Sequence, residues 1–116
     1  MTRAVPEGKV AILFGSLKTI YPICAKFTPG HMPVSAMVGL AELTLYGRSV
    51  SADHLYLYPN GSWLGDAIEA ADNIGIRFVP TRGAMSISES DGWLPLDNLV
   101  EAEVHILEDC IRVVGV

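Results

Sequence analysis

The chain has 116 residues, of which 50% are hydrophobic and 18% charged, with a formal net charge of -5. That length holds one domain, and the acidic balance argues against nucleic acid or an anionic membrane as a partner. The apolar excess is large for a small domain and predicts a cover, either a second copy of the chain or the remaining parts of the same fold. No apolar run reaches the roughly 18 residues of a membrane span. The opening MTRAVPEGK lacks the plan of a signal peptide, so a cytoplasmic location is expected. Cys24 and Cys110 stand in no CxxC or Cys/His spacing and read as reduced, buried thiols.

In chain order, Met1 to Lys9 is polar and reads as an arm. From Val10 to Ala25 the residues Ile12, Leu13, Leu17, Ile20 and Cys24 fall on one helical face, and Pro22 should end or kink that helix. Thr28-Pro29 is a start signal, a capping hydroxyl ahead of a proline. The helix it announces runs from Met32 to Tyr46, striped by Val34, Met37, Val38, Ala41 and Leu45, with Gly47 as its stop. Ser49 to Asp53 predicts a strand, and Pro59-Asn60-Gly61 turns the chain. Ser62 is placed to cap a helix from Trp63 to Ile74, with Asp66 in its first turn and Gly75 at its end. Ile76 to Thr81 predicts a second strand, with Pro80 suited to its end or an edge. Arg82 to Pro95 is a polar loop of a length that more often carries function than not. Asp97 is expected to cap a last helix, Asn98 to Arg112.

The order is therefore helix-helix-strand-helix-strand-helix. Two strands joined through a helix imply a right-handed parallel βαβ unit. A two-stranded parallel sheet is not a stable domain by itself, because parallel sheets need both faces covered and neighbours on their edges. The pattern is that of one undivided, incomplete α/β segment over residues 1–116, cut from a larger repeating fold.

Several strings carry a resemblance. TRAVP (Thr2 to Pro6), LTLYGRSVSADH (Leu43 to His54), SADHLYLYPNG (Ser51 to Gly61), RFVPTRGAMS (Arg77 to Ser86) and GWLPLDNLVEAE (Gly92 to Glu103) resemble consecutive pieces of the amidohydrolase superfamily. The nearest branch is the one holding the hydroxyatrazine ethylaminohydrolases and the oxoguanine and isoguanine deaminases. The resemblance implies a partial (β/α)8 barrel segment, hydrolytic deamination of purine or triazine rings, and a family dependence on zinc or another divalent metal. It also implies that the ligands lie elsewhere. The family's His-x-His pair precedes the position of Met1, and its later histidine and aspartate fall beyond Val116. The chain itself is thus expected to hold no metal and to be inactive in isolation. Ser16, Gly30, the string Arg48-Ser49-Val50 and Val79 depart from the family's usual residues, which bears on substrate choice.

Asp53 and His54 close the first strand, at the end where barrels place chemistry. They either contact a ring substrate or position a metal-bound water, or Asp53 caps the turn while His54 packs in a polar niche. Arg82 could grip a ring carbonyl bidentately, or form a salt bridge within its loop to Glu89 or Asp91. Tyr56 and Tyr58 could stack on a planar heterocycle, but a pair at spacing two more often packs a sheet. Glu101 and His105 share a helical face that could hold a metal weakly, and a solvated face is the plainer reading. His31 reads as surface without a partner. There is no HExxH, GxxxxGK[ST] or GxSxG. Two functions are weighed: a segment of a deaminating amidohydrolase, and a stand-alone self-associating or small-ligand-binding protein derived from a barrel piece.

Overall fold

Two short strands, β1 (Val50–Ala52) and β2 (Arg77–Val79), pair in parallel at the centre of the computed structural model, which describes residues 12–115. The expected arm at Met1 to Lys9 lies outside the described residues. Helices α1 (Leu13–Cys24) and α2 (His31–Leu45) lead in, α3 (Leu64–Ile74) joins the strands, and α4 (Glu103–Val114) follows a long loop. The order read from the sequence holds: an α/β segment with two parallel strands. None of these helices is long and apolar enough to cross a membrane.

The register sets Val50 opposite Arg77, Ser51 opposite Phe78 and Ala52 opposite Val79. Leu55 bridges Arg82 at the same offset, so the pairing carries on past the assigned strands. Side chains alternate across a pleated sheet. Ser51 and Phe78 are half-buried towards the helices, while Val50, Ala52, Arg77 and Val79 are exposed on the other face. Among the described residues the helices therefore cover one face of the sheet and leave the second bare. The core joins Leu40 of α2, Ala71 of α3 and Ile76, with Ile74 and Phe78 packed against them.

Gly47 and Gly75 stop α2 and α3 as expected, both at positive φ (80° and 77°) where a Cβ would be strained. Pro59–Gly61 forms a single 3-10 turn whose Asn60 also lies in the left-handed region (φ 54°). The Asn60 amide donates to the carbonyls of Ala25 and Phe27 at 2.9 and 2.6 Å, which lashes this turn to the end of α1. Asn60→Ala is expected to lower stability by about 1–2 kcal/mol, through two lost hydrogen bonds and a positive φ without the asparagine that tolerates it. Urea unfolding reads the loss. Asn60→Gly, which keeps the φ, should recover only part of it.

Three local expectations are corrected. Ser62 does not cap α3; its buried hydroxyl donates to the Pro59 carbonyl (2.7 Å), and Trp63 is the capping position, its N–H donating to the Asp66 carboxylate (3.0 Å). Thr28 offers no hydroxyl cap to α2, which starts at His31. Instead the His31 ring reaches back to accept the Thr28 N–H (3.1 Å) and lies 5.9 Å from the Phe27 ring, so this exposed histidine has partners. The last helix begins at Glu103, not Asn98. Asp97–Leu99 is a 3-10 turn and Val100 is extended. Tertiary bonds take these residues from the helix: the Asp97 carboxylate accepts from the Ser90 hydroxyl (2.7 Å), and the Glu101 N–H donates to the Met85 carbonyl (2.9 Å). Hydrogen bonds from Ser88 and Ser90 hold the Asp97 carboxyl below its ordinary value. Cys24 is buried, Cys110 half-buried, and both are free thiols.

Candidate functional site

The segments that leave the carboxyl ends of β1 and β2 carry the candidate residues, and the pleat sorts them onto two sides. The Asp53 N–H donates to the Val79 carbonyl (3.2 Å), so the ladder reaches Asp53. Its side chain follows the parity of Ser51 and lines the groove between β1 and α2. The Asp53 carboxylate accepts the N–H of His54 (2.7 Å) and fixes the backbone there. His54 has the opposite parity. It is exposed, with its ring 5.8 Å from that of Tyr56. The two neighbours thus do not share one site: Asp53 faces the helices and His54 faces away from them.

Arg82 pairs with Leu55 and shares the helix side. Its Nε donates to Asp109 (2.6 Å), one terminal nitrogen to Glu101 (2.7 Å) and the other to the Gly83 carbonyl (2.6 Å). The guanidinium carbon lies 3.8 Å from the centroid of the Tyr58 ring. The Arg82 side chain is 7% exposed, against 22% and 15% for Glu101 and Asp109, so this is a largely desolvated cluster. Asp109 also pairs with Arg112, whose guanidinium stacks on Trp63. Arg82 therefore holds the middle of α4, at Asp109, and the strap before it, at Glu101. The partner expected for it within its own loop, Glu89 or Asp91, is replaced by Glu101 and Asp109.

Tyr58 packs beneath that guanidinium, and its hydroxyl donates to the Leu55 carbonyl (3.2 Å). Burial pushes its phenol up to about 12, with Arg82 pulling against the rise. The packing reading of Tyr58 is the one realised. Gly83 follows because the chain passes too close for anything larger: a Cβ there would lie 2.7 Å from the Tyr56 Cβ and 2.8 Å from the Leu55 carbonyl oxygen. The same approach lets the Gly83 N–H donate to that carbonyl (2.9 Å).

Among the described residues no three of His, Cys, Asp and Glu come together as metal ligands. Glu101 and His105 do not share a helix face, since Glu101 lies in the extended strap before α4. The described residues therefore do not fit a catalytic zinc, which needs three protein ligands and an open position. Sequence reasoning missed Asp109, Asn60 and the stacking of Arg112 on Trp63. Their partners stand far away in the chain, where no local periodicity reports them.

Comparison with known proteins gives these features a context. No family model matches the chain. It is 40% identical over 117 residues to the 8-oxoguanine deaminase of Pseudomonas aeruginosa, a match that spans 99% of the chain and 26% of that enzyme. It is 33% identical over 102 residues to the hydroxydechloroatrazine ethylaminohydrolase of Pseudomonas sp. strain ADP, covering 85% of the chain and 21% of the relative. Among solved structures, a triazine hydrolase variant superposes with a TM-score of 0.87 at 26% identity, over 97% of the chain and 26% of its own length. The atrazine chlorohydrolase of Arthrobacter aurescens TC1, solved with zinc, gives 0.83 at 26% identity, over 97% of the chain and 27% of its own. The chain spans about a quarter of the length of each of these except the ethylaminohydrolase, of which it spans about a fifth. By sequence and by fold it corresponds to a segment of an amidohydrolase, in the branch that holds 8-oxoguanine deaminase and hydroxydechloroatrazine ethylaminohydrolase.

Proposed function

We propose that the chain is a structural part of a metal-dependent amidohydrolase that hydrolytically deaminates purine- or triazine-type rings, and that it is not catalytic in isolation. One observation carries this reading: nearly the whole chain matches a fraction of such enzymes, with its strands and helices in the same arrangement. The ligands for a catalytic metal would come from outside the described residues, so no chemical step is assigned within them. The three candidate residues would serve the substrate side. His54, exposed on the face turned from the helices, is the one free to touch a ring. Asp53 would hold the His54 backbone, and Arg82 would hold the loop that follows β2.

The test is to incubate the purified chain with zinc and 8-oxoguanine or a hydroxytriazine, and to measure release of ammonia or amine. No release above the blank is expected. Turnover that scales with the amount of chain would overturn the reading.

A second reading, a self-standing protein that self-associates, draws on the bare apolar side chains Leu45, Val104, Leu107, Ile111 and Val114. The last four fall on one side of α4, beyond the part that faces the body. Under this reading sedimentation velocity shows a defined oligomer at micromolar concentration; a sharp monomer counts against it.

A further inference from the structure

His54 stands past the end of β1 with its side chain exposed, yet the backbone on both sides of it is tied down. Before it, the Asp53 N–H donates to the Val79 carbonyl (3.2 Å), and the Asp53 carboxylate accepts the His54 N–H (2.7 Å). After it, the Leu55 carbonyl accepts twice, from the Gly83 N–H (2.9 Å) and from the Tyr58 hydroxyl (3.2 Å). A carbonyl oxygen has two lone pairs, and at Leu55 both are taken. The two donors are themselves fixed by one residue. The Arg82 guanidinium lies 3.8 Å from the centroid of the Tyr58 ring and donates to the Gly83 carbonyl (2.6 Å).

Gly83 is required here for a reason that its own backbone does not supply. It does not have a positive φ, so its conformation is open to other residues. What excludes a side chain is contact. The Cβ of an alanine would lie 2.7 Å from the Tyr56 Cβ and 2.8 Å from the Leu55 carbonyl oxygen. Neither is the far end of a flexible side chain, so the larger residue would have to push away the two residues that follow His54. Tyr56 shares the side of the strand on which His54 lies. The two rings are 5.8 Å apart and tilted by 51°, a distance at which aromatic rings interact.

We infer that Gly83 and Tyr58 are positioning residues. Through the Leu55 carbonyl and the Tyr56 Cβ they set where the His54–Tyr56 ring pair stands, and that pair is the surface a planar heterocycle meets. The contact with a heterocycle rests on the reading proposed above; the placement of the pair does not. Side chains on a loose loop lose freedom when a ligand orders them, and a backbone fixed beforehand lowers that cost.

The experiment reads the His54 ring by NMR in the isotope-labelled chain. The other two histidines, His31 on α2 and His105 on α4, are internal controls. Tyr58→Phe deletes the hydroxyl and keeps the ring beneath Arg82. It is expected to shift the His54 ring resonances and weaken the His54–Tyr56 cross-peak, with His31 and His105 unmoved. Gly83→Ala should abolish that cross-peak and speed amide exchange at position 83 roughly tenfold or more. Ile68→Ala, a truncation on α3, controls for mere loss of stability and should leave the His54 signals in place. The inference is overturned by His54 signals that stay put in Tyr58→Phe and Gly83→Ala, or by shifts that Ile68→Ala reproduces. Should Gly83→Ala not fold, Tyr58→Phe decides alone. Titration with a soluble hydroxytriazine scores the ligand separately: a response at His54 is expected, with a midpoint several-fold higher in Tyr58→Phe. Equal midpoints in spite of a displaced His54 overturn the positioning role. No response at His54 in the native chain, with the variant shifts present, leaves the placement standing and counts against the functional reading.

Discussion

Replacing Arg82 with alanine is expected to cost about 3–5 kcal/mol of unfolding free energy, a large share of what a domain of this size has. The reason is what stays behind. Glu101 and Asp109 are only 22% and 15% exposed, and without the guanidinium two carboxylates are left largely out of water with their main cation gone. Arg112 remains beside Asp109, but it is 45% exposed and directed to the outer oxygen. Tyr58 loses the cation stacked on its ring at the same time. Arg82→Lys keeps the charge but not the fork that reaches Asp109, Glu101 and the Gly83 carbonyl together, so it should restore only part of the loss. Arg82→Met combined with Glu101→Gln and Asp109→Asn leaves no buried charge orphaned, since Arg112, which loses Asp109, is 45% exposed, and should be more stable than Arg82→Ala alone. Urea unfolding followed by circular dichroism measures all three. A change within about 0.5 kcal/mol for Arg82→Ala would mean that the cluster behaves as a solvated surface pair.

That cluster also marks how far the sequence could be read. The helices, the two strands and their order were legible, because they rest on local signals: a stripe over Val34, Val38 and Leu45, a run of small and β-branched residues ending at Asp53, stops at Gly47 and Gly75. The strings from Leu43 to Gly61 and from Arg77 to Ser86 placed the chain in a family, which periodicity alone could not do. What escaped was decided at long range. Asp97 has every local mark of a helix cap, yet it spends its carboxylate on Ser90, and the helix starts at Glu103. Asp53 and His54 both close the first strand, at the end where barrels place chemistry. A pleated strand sends adjacent side chains to opposite faces, and that rule could have separated them beforehand. Arg82 reaches acids 19 and 27 positions away, and no window of the sequence contains both ends of either pair.

Leu64→Ala is expected to cost about 2–5 kcal/mol, on the scale of fully buried leucines cut to alanine. Leu64 opens α3 and is 1% exposed, and Ala67, Ala70 and Ala71 are the other buried positions of that helix, at 5%, 1% and 2%. Leu64 is the one bulky side chain among the buried positions of α3, with Ile74 packed against the core at the other end of the helix. Leu64→Met, which conserves volume, should cost less than about 1.5 kcal/mol. Ile68 serves as the contrast, since it lies on the same helix but is 37% exposed. Ile68→Ala should cost clearly less than Leu64→Ala in the same urea titration. Equal losses at the two positions would mean that α3 is not clamped through its inner face, and that the packing of α2 on α3 around Leu40 and Ala71 carries the helix instead.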